Sequence, residues 1–368
     1  MKKNVLTVLS VFVLVFLSVF FLVSCNKDMS VPVKKEKEHV PHKLSLNYED
    51  FRKVVGWLSD DELLVHTGKE NMDALYRFNL TTGKLTLLYE AEAIILTSAI
   101  SEDKQFIFVQ IAGKEEGELR IINLAGEVEQ KLAIETNGYL NVNWNPVDQN
   151  QLFISYYKWE EEMIIQKWEI ETNQLVDIQS KSLTPIWYSG NLYLYVDNLD
   201  DFSLQTGELY MGDIRTNEVT RIQSQVTGFY LNNDTFISFS PSDFNKEELL
   251  LNRQYPFMVD KGFITIPKVT MNERLVFPNL TQSGRNGDLY GVFAKKPTQL
   301  ELESGKFEFG KLNFETRKID PIIDLPDNAP ISMAKNKRYC LYGWRFEYII
   351  DLEQQKLYPL IEMEKSSS

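Results

Sequence analysis

Ser101-Glu102-Asp103-Lys104-Gln105-Phe106-Ile107-Phe108-Val109 is the stretch that decides the fold. A polar turn follows the apolar Ile100 and opens into an unbroken apolar run, and the same arrangement returns along the chain. Trp57 precedes Leu58-Ser59-Asp60-Asp61-Glu62 and then Leu63-Leu64-Val65. Trp144, Trp187 and Leu231 lead in the same way into Leu152-Phe153-Ile154, Leu192-Tyr193-Leu194-Tyr195-Val196 and Phe236-Ile237, and weaker copies follow Leu280 and Met333. The anchors are spaced by 43, 44, 43, 44, 49 and 53 residues. A near-constant period of this size marks one supersecondary unit used repeatedly.

A second register falls between the first. Asn79-Leu80-Thr81-Thr82-Gly83 is its clearest copy, followed by Asn123-Leu124-Ala125-Gly126, Glu169-Ile170-Glu171-Thr172-Asn173 and Asp213-Ile214-Arg215-Thr216-Asn217. Asn313-Phe314-Glu315-Thr316-Arg317 and Asp351-Leu352-Glu353-Gln354-Gln355 complete it. Gly and Asn suit positions of positive φ, and Asn or Asp bonds its own backbone two residues on, so these polar residues are turn chemistry. Each unit then holds two hairpins, which is a four-stranded antiparallel blade of an all-β propeller. Continuously apolar second strands fit coverage on both faces. Leu75, Arg77 and Asn79 alternate with Tyr76, Phe78 and Leu80 and are expected to form a half-exposed outer strand.

The anchors count seven blades. Six blades with an irregular insert also fit, because residues 239–277 lack a clean turn copy and the last unit is short. Leu44 and Leu46 alternate with polar residues, so 43–54 is a candidate closing strand for the last blade.

Units such as Ser101-Glu102-Asp103 through Phe106-Ile107-Phe108 and Leu119-Arg120-Ile121-Ile122-Asn123-Leu124 resemble blades of TolB-type propellers. With its N-terminal Leu22-Val23-Ser24-Cys25 included, the chain resembles the YqgU-like propeller lipoproteins of bacilli. That resemblance implies six blades, one fewer than the repeats count, and an anchored lipoprotein. Its motifs specify blades and bring no activity, so Cys25 is the one site residue it carries over.

Lys2-Lys3, the uncharged nineteen residues from Val5 to Val23 and Leu22-Val23-Ser24-Cys25 occur in the order of a secretory signal. The last four resemble a bacterial lipobox, which implies cleavage between Ser24 and Cys25 and a diacylglyceryl thioether on Cys25. Two acyl chains give stable anchoring where one gives reversible binding. The apolar run is also long enough to stay as an uncleaved span. Either way Lys2 and Lys3 keep to the cytoplasmic side and the rest of the chain is expected outside the cell membrane. The domains expected are a signal at 1–24, a charged disordered tether at 25–43, the propeller at 44–362 and a disordered tail at 363–368.

With 52 acidic against 39 basic residues and a net charge of −13, the 368-residue chain has no electrostatic footprint for nucleic acid or an anionic lipid surface. Of two cysteines, Cys340 is left alone in the apolar Tyr339-Cys340-Leu341-Tyr342, where it reads as a small buried hydrophobe. Three histidines leave His66 alone in the folded part, since His39 and His42 fall in the tether. A Ser-His-acid triad would have to use His66, whose place at the end of an apolar strand reads as structural. Zinc cannot be held by His66 and Cys340 alone. No catalytic residues, metal site or cofactor are therefore expected.

Asp197-Asn198-Leu199-Asp200-Asp201 is the densest oxygen cluster; it lacks calcium-loop spacing and reads as a solvated loop. Function on a rigid scaffold usually lives in its loops. The candidate partner or ligand loops are accordingly those of Asp197, Asp200 and Asp201, the insert at 240–251 with Phe244, and Tyr255, together with the channel mouth. The leading expectation is a non-enzymatic, membrane-anchored scaffold that binds an envelope protein or a small ligand. The alternative is an envelope hydrolase of glycan or ester, using channel-lining carboxylates with or without calcium, and it rests on fold analogy.

Overall fold

The anchors sit where the repeat places them. Trp57, Ile100, Trp144, Trp187, Leu231 and Met333 lie at or near the ends of short first strands and pair with Leu63, Ile107, Leu152, Tyr193, Phe236 and Cys340 at the start of the second. Leu280 opens its strand instead and pairs with Gly291. The computed structural model describes residues 40–362 apart from 115, 137, 139, 159–161, 198–205, 233–234, 255–258 and 285–286. The expected signal, Ser24 and Cys25, most of the tether and the tail fall outside the described residues. Pro41–Ser368 forms one unit by its internal contacts.

Among the described residues there are seven four-stranded antiparallel sheets, each with its strands in chain order: 51–90, 95–134, 141–177, 186–226, 228–267, 280–325 and 331–359. These are blades 1 to 7. A smaller three-stranded sheet, Val269–Met271 with Arg274–Val276 and Thr298–Gln299, belongs to no blade. No described segment is helical, and among the described residues no helix is long and apolar enough to cross a membrane.

A four-stranded sheet cannot bury both faces alone, so each stacks on the next. Leu64 and Leu75 of blade 1 pack on Ile107 and Val109 of blade 2, and Phe108 and Leu119 of blade 2 on Leu152 and Trp168 of blade 3. Phe153 stacks on Trp187 between blades 3 and 4, with centroids 3.9 Å apart. Leu194 meets Phe236, Ile237 and Leu251 meet Phe293, and Phe309 meets Tyr342 across the next three seams. The last cluster, with Trp57, Leu63 and Phe78 against Tyr339, Leu341 and Ile349, joins blade 7 to blade 1 and closes the ring. The core is a chain of interfaces, so the second strands are apolar on both sides: Leu63, Leu64 and Val65 are all fully buried.

Two expectations are corrected. Met72–Asn79 is a third strand, not a half-exposed outer one: Leu75 faces blade 2 and Phe78 faces blade 7, both buried. Exposure belongs to fourth strands such as Leu85–Glu90 and Glu218–Val226. Residues 43–54 do not close blade 7, whose four strands all come from 331–359; Phe51–Trp57 is the first strand of blade 1. Closure uses bonds across the seam, among them Trp57 Nε1 to Ser332 O at 2.9 Å and Val54 N to Arg345 O at 2.9 Å.

The second register forms the turns between third and fourth strands. Asn79 Oδ1 accepts from the Thr81 and Thr82 amides, Asn123 Oδ1 from Ala125 and Glu127, Asp213 Oδ1 from Arg215, and Asn313 Oδ1 from Glu315 and Thr316. Gly83, Gly126, Asn173, Asn217, Arg317 and Gln355 take positive φ there.

Candidate binding face and channel wall

Consecutive antiparallel strands give each blade two distinct ends. First-to-second and third-to-fourth connections leave from one end, the turn face; second-to-third connections and the links between blades leave from the other, the loop face. First strands of neighbouring blades touch one another, as Phe51–Trp57 does Ile95–Ile100 and Leu280–Gln282 does Ile331–Met333, so they line the axis.

Asp197 and Phe244 both belong to the loop face. Asp197 ends the second strand of blade 4, where its carboxylate accepts from Lys181 Nζ at 2.9 Å. Phe244 projects from the second-to-third connection of blade 5 and is 95% exposed, on a turn held by Ser242 Oγ, which accepts from the Phe244 and Asn245 amides. Asp200, Asp201 and Tyr255 fall outside the described residues. The strands flanking Tyr255, Glu248–Gln254 and Asp260–Pro267, are joined from the turn face, opposite Phe244.

What sequence reasoning missed is that Phe244 has counterparts. Met72, Tyr157, Leu302 at 76% exposure and Trp344 at 67% are also exposed, at or beside the second-to-third connections of blades 1, 3, 6 and 7. Trp344 is held by its Nε1, which donates to Asp327 Oδ2 at 2.6 Å. On the turn face the exposed large apolar residues among those described are valines: Val147 and Val259 in connections, and Val128 and Val176 beside third-to-fourth turns. The signal was an aromatic or aliphatic residue in or beside a polar connection, and it shows only once the faces are assigned.

Among the described residues, none of the seven first strands that line the channel contains Asp or Glu. The wall has Arg52 and Lys53 on blade 1 and amides at Asn141, Asn143, Asn232 and Gln282. Asn141 Nδ2 donates to Leu183 O, and Asn143 Oδ1 accepts from the Trp187 amide at 3.0 Å, tying blade 3 to blade 4 and to the link between them.

His66 is buried on the second strand of blade 1, with Nε2 2.9 Å from Asp73 Oδ2. The same carboxylate oxygen accepts from the Ile95 amide at 2.9 Å, so the pair fastens blade 1 to the first strand of blade 2. Burial pushes the Asp73 carboxyl up, but the bonds from His66 and Ile95 and the nearby Arg52 charge outweigh it and hold it below the usual carboxylate range. Other seams have equivalent ties. Gln110 Nε2 donates to Gly138 O, Ser155 Oγ to Leu183 O and Tyr342 OH to Asp327 O. His66 lies in the middle of its strand, not at the strand end expected from the sequence, and its bond to Asp73 helps hold blade 1 against blade 2. Burial pushes the Cys340 thiol up, leaving it protonated and unreactive.

Comparison with known proteins agrees with a propeller of four-stranded blades, the family model describing six blades against the seven sheets found here. The chain is 23% identical to the uncharacterized lipoprotein YqgU of Bacillus subtilis strain 168, over 95% of this chain and 96% of that one. The crystal structure of an uncharacterized protein of Listeria monocytogenes EGD-e superposes with a TM-score of 0.80 at 22% identity, covering 89% of this chain and 99% of that one. Hydrazine synthase of Kuenenia stuttgartiensis shares the fold alone, with a TM-score of 0.51 at 10% identity over 88% of this chain and 97% of that one. The model of the YqgU-like 6-bladed beta propeller domain matches residues 79–343. That span holds blades 2 to 6 whole, the fourth strand of blade 1 and the first two strands of blade 7. By a match over most of its length, the chain belongs to the YqgU-like β-propeller family.

Proposed function

We propose that this protein is a lipoprotein anchored through Cys25 on the outer side of the cell membrane, where its propeller binds an envelope protein on the loop face. The observation that carries the reading is the set of exposed apolar side chains on that face, Phe244, Leu302 and Trp344 foremost. Exposed aromatic and large aliphatic groups on rigid turns supply contact area at little conformational cost and are the usual anchors of interfaces. The lipoprotein relative supports the anchor. A channel-based hydrolase depends on carboxylates along the axis, and the first strands offer none.

The test is a photo-crosslinking residue placed at Phe244 or at Trp344 in cells, with Val147 on the turn face as control. The expected result is one discrete adduct from each loop-face position, weakened about tenfold or more at Phe244 by Trp344→Ser and at Trp344 by Phe244→Ser. Equal labelling from Val147, or no adduct, overturns the reading. In parallel, Cys25→Ser is expected to leave an unprocessed, unacylated precursor; unchanged mobility and acyl labelling would refute the anchor.

A further inference from the structure

Lys53 is a cation set into the channel wall with no carboxylate to answer it. It is half-buried, and among the described residues it has neither hydrogen bond nor ion pair. It pairs in register with His66, and paired residues on neighbouring strands point to the same side of a sheet. That side faces blade 2, since Leu64, two residues before His66, packs on Ile107 and Val109, and Asp73 bonds the Ile95 amide. From across the seam Ser98, paired with Val109, points back toward blade 1. Its hydroxyl is buried without a partner, and so is His66 Nδ1. Ser98 is 8% exposed and His66 5%.

Two other charged groups lie nearby, and the Asp73 Oδ1 is itself buried without a hydrogen-bond partner. Arg52 lies beside Asp73, each filling the space a side chain at Gly68 would need, and Asp73 Oδ2 is taken by His66 and Ile95. Burial lowers the Lys53 pKa from the ordinary lysine value, the mark of an ammonium stripped of water without compensation. Polar groups removed from water without partners are costly and rare, so several at one seam point to a missing one.

We propose that the channel end of the seam between blades 1 and 2 binds a small oxyanion, a carboxylate or phosphate group, held by the Lys53 ammonium and the Ser98 hydroxyl. The site is independent of the loop-face reading, since it uses no residue of that surface.

The experiment is calorimetric titration of the full chain in detergent with inorganic phosphate and, separately, with acetate, at constant ionic strength. Binding of either is expected, and which of the two binds more tightly identifies the group. Lys53→Met is expected to weaken binding about tenfold or more, the worth of one desolvated charge-assisted bond, while Lys53→Arg keeps it. Should Lys53→Met fail to fold, the wild type alone decides: one lysine ε-methylene NMR signal, with a depressed pKa, is expected to shift on adding the anion. Absence of binding by both anions, equal binding by Lys53→Met, or no responsive lysine signal overturns the proposal.

Discussion

Asp73 takes part in a contact that neither strand of its hairpin could make alone. Its carboxylate receives His66 from its own blade and a backbone amide from the next, and breaking such a buried pair costs about 3–5 kcal/mol. Because its folded pKa lies below the unfolded one, its contribution is present at neutral pH and is lost as pH falls from about 3.9 through the depressed value. Asp73→Asn is therefore expected to lower the thermal midpoint at pH 7, and the gap from wild type should narrow as pH falls through that window. A gap that stays constant with pH would show that the charge does not matter. At this scale the sequence revealed half of the pair. His66 stood out because it is one of three histidines, whereas Asp73 is one of 52 acidic residues and is selected only by the hairpin register that brings Gly68 opposite it.

Turns were the most legible elements, because their backbone demands are local. Asn79, Asn123, Asp213 and Asn313 could be assigned from spacing alone, and all four bond their own turn amides. Gly126 adds a constraint that spacing does not reveal: φ is +88°, and a Cβ there would lie 2.0 Å from the Leu88 carbonyl oxygen of blade 1. Gly284 has the same φ with nothing within 4 Å. Gly126→Ala is thus expected to destabilise by more than the roughly 1 kcal/mol that an incompatible φ alone costs at Gly284→Ala, measured by denaturant unfolding. The repeat faded in its later copies for a physical reason. The strands Val269–Met271 and Arg274–Val276 stretch the interval before Leu280, and Thr298–Gln299 stretches the one before Met333. Together they build the three-stranded sheet outside the blades, and pairing between segments so far apart is invisible to a local reading.

For the molecule as a whole, periodicity revealed a propeller of repeated blades but not how the ring is joined. An alternating pattern at 43–54 resembled a closing strand, yet closure is by packing: Trp57, Arg345 and Asp60 reach across a seam between otherwise complete blades. Arg345 also lies over the rings of Tyr48 and Phe51, at 4.6 and 5.1 Å. A seam without a shared strand must depend heavily on such contacts. Trp57→Ala is expected to cost about 3–5 kcal/mol, and hydrogen exchange should rise first in blades 1 and 7. Uniform loss of protection around the ring would refute a weak seam. The loop-face apolar set was legible only at Phe244, because facing is a property of the assembled ring and not of any one unit.

The entry of the chain into the ring also has a mechanical consequence. His42 N bonds Leu80 O, Leu44 N bonds Leu360 O at 2.7 Å, and Lys43 pairs with Glu362 at 2.9 Å. A pull applied at Pro41 is therefore borne by the final segment of blade 7 and a turn of blade 1 before it reaches the strand at Phe51. Tension from the N-terminal side thus loads the ring across its own join, the place where sustained force would first part it.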